Sequence, residues 1–255
     1  QKRAYITAAH GLTTHLSPRN PNITVHDEFS YLHSRIGNYS HNGPQFLPWH
    51  RYFLHAYENA LKQYSNYTGP LPYWDWSLDY RNLTGSPVWN IDDGFGPSGS
   101  SSPSVGTGGC VDQGPFANWA PAYYDGVYHP HCLSRGFLDA ATVARVGNLT
   151  VRPDALKRVI RKKQEYFDFL MAVETMSHLT IPYVVQGDFV KVTAPNDPRL
   201  WEYGGMRNIN STYEDAAVDD VMQFGDFLGP EGVVTVMDVM DTERGFLCYT
   251  YDSTV

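Results

Sequence analysis

Two amphipathic segments, joined by a short connection and each carrying a histidine, constrain this chain more than any other feature. From Val25 to Gly37 the apolar residues Val25, Phe29, Leu32 and Ile36 recur at helical spacing. A second stripe, Phe53, Tyr57 and Leu61, follows Pro48 and predicts a helix running to about Tyr64. With so short a link the two helices lie antiparallel. His33 falls one turn after Phe29, beside the first stripe; His50 opens the next helix in register with its stripe; His41 lies on the connection. The helices therefore aim His33 and His50 at one point, and His41 closes it from the loop. Three neutral imidazoles with a fourth position open make a catalytic metal centre rather than a closed structural one.

Two more helices are expected. One spans Lys2 to His15. The other opens at Pro153, a favoured first-turn residue, and runs to about His178 with Leu156, Ile160, Phe167, Leu170 and Met171 as its inward stripe. Between Thr68 and Thr150 the chain reads as irregular, and its Gly/Ser/Pro-rich tract Gly94–Gly109 reads as a surface loop. After Pro182 it becomes loop-rich, with short β-like runs from Val233 to Tyr251. The 255 residues, 42% hydrophobic, suffice for one sizeable core, read here as one domain. The net charge of −8 comes without a basic patch, which argues against nucleic acid as a partner, and no run of 18 apolar residues is present to span a membrane.

A chain that starts at Gln1 and carries N-x-S/T sequons at Asn22, Asn38, Asn66, Asn82, Asn148 and Asn210 reads as a secreted glycoprotein from which a signal peptide has been removed. In an oxidising compartment the three cysteines give one pair and one remainder. Cys110 and Cys132 bracket a Gly/Pro/aromatic loop and are paired on that ground, leaving Cys248. A loop of this length is worth about 3 kcal/mol on the chain-entropy model.

The words around the histidines resemble a known family. The stretch from His41 through Gly43, Pro44, Pro48, Trp49 and His50 to Phe53 resembles the first copper-site signature of tyrosinases, catechol oxidases and molluscan haemocyanins. His33 matches that site's first ligand, Glu58 the acidic residue that follows on the same helix, and Pro72–Trp76 the family's PYWDW word. Cys248, Tyr249 and Tyr251 resemble the tyrosine motif that closes the central domain, so the resemblance runs from Lys2 to Asp252. It is nearest to short secreted ascomycete forms. It implies a mainly α fold: a four-helix bundle core with long loops and a few short β strands, in which each of two coppers takes three histidines.

The second half departs from that pattern. His178 aligns with the first ligand of the second site, but the position four residues on, where the next ligand belongs, is Pro182, which has no metal donor and is expected to break the helix. The word Asn196-Asp197-Pro198 runs straight into Arg199-Leu200-Trp201-Glu202-Tyr203, so the helix bearing the last ligands is read as deleted. No histidine follows His178. Tyr39 stands where some relatives carry a cysteine crosslinked to histidine, so that thioether is excluded. His129 and His131 are read as structural, and His10, His15, His26 and His55 as surface or packing residues.

What remains is one metal ion per chain on His33, His41 and His50, zinc in preference to copper, with His178 facing the pocket as a general acid/base or fourth ligand. Haemocyanin-like cyclopenases are a zinc precedent in the resembled family: they convert cyclopenin to viridicatin with loss of methyl isocyanate, an elimination without net redox change. The expected function is a zinc-dependent lyase of this type, acting on a small aromatic molecule. The alternatives are a copper phenol or catechol oxidase and a metal-binding pseudoenzyme. The apolar segment Val184–Tyr203 is expected to cover the face left by the deleted helix, with Phe189 or Trp201 against the fourth helix near Met171; a homodimer burying the same stripe is the competing reading.

Overall fold

A computed structural model describes residues 1–100, 102–162, 165–197, 217–224, 233–243 and 245–250. Seven α-helices dominate these residues: α1 (Lys2–Thr14), α2 (Val25–Ser40), α3 (Phe46–Ser65), α4 (Ala140–Thr150), α5 (Pro153–Lys162), α6 (Tyr166–Ala172) and α7 (Leu179–Val185). The described strands are two-residue pairs. Strand β1 (Gly109–Cys110) lies antiparallel to β4 (Ser134–Arg135), and β2 (Tyr123–Tyr124) is joined to β3 (Val127–Tyr128) through Asp125 and Gly126, both at positive φ as a tight hairpin requires. The mainly α class expected from the sequence is the one observed.

The first three helices form where the sequence places them. Thr24 caps α2 in a reciprocal box: its hydroxyl accepts from the Asp27 N–H at 3.2 Å, and the Asp27 carboxylate accepts from the Thr24 N–H at 3.0 Å. Asn66 ends α3 in a left-handed conformation, with its N–H donating to the Leu61 carbonyl. Helix α1 packs on both α2 and α3, and Leu12, Phe29, Trp49, Phe53 and Leu61 from these helices belong to one buried core. Close approach of α1 to the end of α3 depends on Gly11, where a Cβ would lie 2.2 Å from the Ser65 hydroxyl.

The fourth expected helix is not continuous. Pro153 does open a helix, but it ends at Lys162, and a second starts at Tyr166. Ile160 and Phe167, assigned to the inward stripe, are exposed, whereas Leu170 is fully buried. Residues Val173–His178 form a π-helical turn that leads into α7. Pro182, expected to stop the helix, sits inside α7 instead. The wide turn before it absorbs the lost N–H and the crowding of the ring. Helix α4 lies in the stretch read as irregular. Near the C-terminus the β-like runs reduce, among the described residues, to one bridge between Val221 and Thr235.

Cys110 and Cys132 form the expected disulfide, and Cys248 is exposed and free. Asn22, Asn66, Asn82 and Asn148 are exposed. Asn38 lies within α2, and Asn210 lies outside the described residues. Of the covering segment, Val184, Val185 and Phe189 are buried; Trp201 lies outside the described residues. No helix among the described residues is long and apolar enough to cross a membrane.

Candidate metal centre

Each candidate ligand is held by the element that bears it. His33 projects from the middle of α2, His50 from the first turns of α3, and His41 is the residue that ends α2. One ligating nitrogen from each comes within 4.8 Å of the others. The rings are edge-on to one another, with centroids 4.9 Å apart for His33–His41 and His41–His50 and 5.3 Å for His33–His50. Among the described residues this is the one group of three or more potential metal-binding side chains that converges in this way.

The hydrogen bonds on the far side of each ring fix the protons. Nδ1 of His33 lies 2.6 Å from the Val192 carbonyl, Nδ1 of His41 lies 2.8 Å from the Gly37 carbonyl, and Nδ1 of His50 lies 2.7 Å from the Phe46 carbonyl. A carbonyl can only accept, so all three Nδ1 atoms carry hydrogen and all three Nε2 atoms present lone pairs. Nε2 of His33 and Nε2 of His50 stand 3.2 Å apart. With the protons so assigned, two bare acceptors face each other, an arrangement a cation between them relieves. Burial also pushes all three pKa values down, and neighbouring imidazoles add to this at His33 and His50; His33 falls to about 3. The rings are therefore neutral donors at neutral pH, as metal ligation requires. Oriented Nδ1–H bonds to carbonyls are the usual outer support of a metal-binding histidine. The residues fit a metal ion.

A cavity of about 320 Å³ opens over this cluster. That volume suits a small organic ligand. His178 is on its wall as expected, its ring 6.4 Å from that of His41 and edge-on to Phe46 at 5.1 Å, outside the converging group. Burial, with His41 close by, lowers its pKa to about 3. Pro182 also lines the cavity, so the position expected to bear the next ligand faces the site without a donor.

One cavity residue was not singled out from sequence. Glu174, on the π turn one turn before His178, is 3% exposed, and both of its carboxylate oxygens accept from the Asn42 N–H, at 3.0 and 3.2 Å. Burial raises its pKa, partly offset by the Asn42 bond. An acidic residue on a helix carries no sequence mark of burial; the one available signal was its spacing of four before His178.

Of the other histidines, His131, His10 and His26 are held by contacts within the fold. His131 Nε2 bonds Asp188 at 2.9 Å in the interior, and His10 stacks on Phe116. His26 packs edge-on against Trp119 and is 1% exposed.

Comparison with known proteins agrees with this architecture. The model of the common central domain of tyrosinase matches residues 14–203. Tyrosinase-like protein phomQ2 of Diaporthe leptostromiformis is 40% identical over 90% of this chain and 64% of its own length, so the chain spans under two thirds of that relative. Tyrosinase ustQ of Aspergillus flavus is 38% identical over 98% of this chain and 76% of its own length. A protein named N-acetyl-6-hydroxytryptophan oxidase ivoB, from Emericella nidulans, is 27% identical over 89% and 80%. In fold, the chain is similar to a polyphenol oxidase mutant from Thermothelomyces thermophila, with a TM-score of 0.80 over 99% of this chain and 85% of that one at 23% identity. With three quarters of its length matched by that domain and a three-histidine metal site in the expected place, this chain belongs to the tyrosinase family.

Proposed function

We propose that the chain is a mononuclear three-histidine metalloenzyme that takes a small aromatic molecule into the cavity above His33, His41 and His50 and transforms it by acid–base chemistry without net oxidation. The observation that carries this reading is the asymmetry of the cavity. One side offers three converging Nε2 lone pairs; the other offers His178, Pro182 and Glu174, and no second converging group occurs among the described residues. Zinc is the metal proposed, since three imidazoles with an open position suit it, although copper binds such donors more tightly in principle. When bound, the metal supplies Lewis acidity that polarises a substrate carbonyl or epoxide oxygen.

The chain's own residues do the rest. Phe29, Phe53 and Leu54 give the cavity an apolar wall that takes an aromatic ring and excludes water. Glu174 and His178 are the proton-handling pair. The buried carboxylate, with its pKa raised, is the stronger base of the two, and the neutral ring of His178 is placed to hydrogen-bond the reacting group. The lyase of the cyclopenase type remains the specific reaction proposed.

A second reading has its own support. The relatives carry the names tyrosinase and oxidase, and ivoB's name specifies a hydroxylated indole. On that reading the site holds copper and oxidises a phenol. Metal analysis of the purified protein, paired with oxygen-uptake assays on catechols, separates the two. One zinc per chain without oxygen uptake after copper loading supports the non-redox reading. Two coppers per chain, or copper-dependent uptake, establishes the oxidase instead. Secretion and N-glycosylation are likewise proposed, supported by the exposed Asn22, Asn66, Asn82 and Asn148; an unchanged mass after glycosidase treatment of the natural protein overturns the latter.

A further inference from the structure

Two of the three metal-site histidines carry their hydrogen-bond acceptors with them. His41 and His50 each donate to a carbonyl four residues back, Gly37 and Phe46, so each ring is oriented locally. His33 is different. Its acceptor, the Val192 carbonyl, lies 159 residues away in sequence. The direction of the first ligand is therefore only as well defined as the position of one backbone oxygen on another part of the chain.

That oxygen sits on a loop with little regular structure of its own, made of 3-10 turns at Gly187–Val190 and Ala194–Asn196. Side chains anchor it. Asp188, fully buried, accepts from three donors: His131 Nε2 at 2.9 Å, the Ser134 N–H at 2.8 Å and Asn196 Nδ2 at 2.7 Å. Its carboxylate thus ties the start of the loop to its end, and both to the segment of the Cys110–Cys132 disulfide. Trp119 Nε1 donates to the Asn196 carbonyl at 2.8 Å, and the Thr193 hydroxyl accepts from the Asp125 N–H at 3.0 Å. On its inner side the loop presses against α2 at Gly37, where a Cβ would meet Val192 Cγ1 at 3.2 Å. Asp188 is not among the residues that line the cavity.

We propose that Asp188, with its partner His131, is a positioning residue for the metal centre: the buried carboxylate fixes the loop that presents the Val192 carbonyl to His33, and so sets the tautomer and aim of the first ligand. The chemistry requires a carboxylate. Three donors converge on its two oxygens, and an amide would turn an NH₂ group toward one of them. The His-Pro-His word beside Cys132 then has a role in metal binding without being a ligand. This inference concerns ligand geometry and does not depend on which reaction the centre performs.

The test uses Asp188→Asn, His131→Gln and, as a control, Asp139→Ala, which removes the side-chain cap of α4 away from this loop. The first readout is the set of histidine ring N–H signals in metal-free, ¹⁵N-labelled protein. The His33 Nδ1–H signal is expected to shift or vanish in Asp188→Asn, while those of His41 and His50 persist. The second is Co²⁺ affinity by chelator competition, expected to weaken by about 10–100-fold, the usual effect of removing an outer-shell partner of a metal ligand. Asp139→Ala is expected to keep wild-type affinity and signals. Should Asp188→Asn fail to fold, His131→Gln, which removes the charge opposite Asp188, is read in its place. A folded loop variant with Co²⁺ affinity within about twofold of wild type and the His33 signal intact overturns the proposal, as does an equal loss in Asp139→Ala. Wild-type protein that binds no Co²⁺ at all refutes the metal site itself and leaves the ring signals to decide the positioning role.

Discussion

Glu174 grips the backbone of Asn42: both carboxylate oxygens lie within hydrogen-bonding distance of one N–H, at 3.0 and 3.2 Å. Asn42 is at φ 53° and directly follows His41. The carboxylate therefore joins the π turn that carries His178 to the loop that carries His41, and it does so in the cavity wall. Glu174→Gln keeps an acceptor for Asn42 and removes the base. If Glu174 handles the proton, turnover of a substrate falls by about 10²–10⁴-fold with little change in melting temperature. A variant that loses stability but turns over normally when folded would place Glu174 in the scaffold alone.

The π turn also shows what the sequence could not reveal. Helices α1, α2 and α3 were legible because large apolar residues repeat along one face with nothing to interrupt them. Helix α4 was not, because Ala140–Thr150 buries only Val143 and Gly147. At Gly147 the absence of a side chain is what packs: a Cβ there would meet the Tyr80 carbonyl at 2.0 Å. No hydrophobicity pattern registers a contact made by a missing atom. The stripe from Leu156 to Met171 looked continuous, but Glu165 is extended and separates two helices, so the residues on its two sides do not share one face. The convergence of the three histidines was legible from spacing; their carbonyl acceptors and Glu174 were not, since backbone oxygens have no sequence signature and burial of a carboxylate depends on distant partners.

Stability should fall on the alkaline side through His131. Burial opposes its charge, and the Asp188 carboxylate outweighs that, so the folded-state pKa lies above the ordinary 6.5. A raised folded pKa means that the pair's stabilisation is fully present below pH 6.5 and is lost as pH rises through the folded value. Metal-free protein should therefore melt at lower temperature as the pH climbs well past 6.5, where the rings of His26, His33, His41, His50 and His178, whose folded pKa values are lowered, have become neutral in the unfolded chain as well. In His131→Gln this slope should flatten; an identical slope would assign it to another group.

The two ion pairs flanking the cavity loop should differ sharply in worth. Arg135 and Asp197 meet at 2.7 Å with both side chains wholly buried, and Arg135 also donates to the Phe95 and Gly96 carbonyls. Lys191 and Asp125 meet at 2.7 Å with side chains 40% and 48% exposed. Breaking the buried pair strands a charge, so Arg135→Met should cost about 3–5 kcal/mol. Lys191→Met should have little effect, because that pair is solvated and screened. Denaturant titration of both variants checks the ranking, which fails if the surface variant is the less stable.

Whether His178 is a ligand turns on geometry that a pair of substitutions can test. Its ring lies 6.4 Å from that of His41, whereas the rings of the three converging histidines lie 4.9–5.3 Å apart. The carbonyl bonds that aim His33, His41 and His50 direct their Nε2 lone pairs at one another, and His178 stands outside that group. His41→Ala should therefore abolish stoichiometric metal binding, since two imidazoles with a vacant third hold a divalent ion weakly. His178→Ala should still bind one metal ion per chain, with affinity within about threefold of wild type, while turnover drops if the ring hydrogen-bonds the reacting group. X-ray absorption of the loaded protein should count three imidazoles in both the wild type and His178→Ala. A fourth imidazole in the wild type that disappears in His178→Ala would make His178 a ligand, and the cavity would then lose its open position.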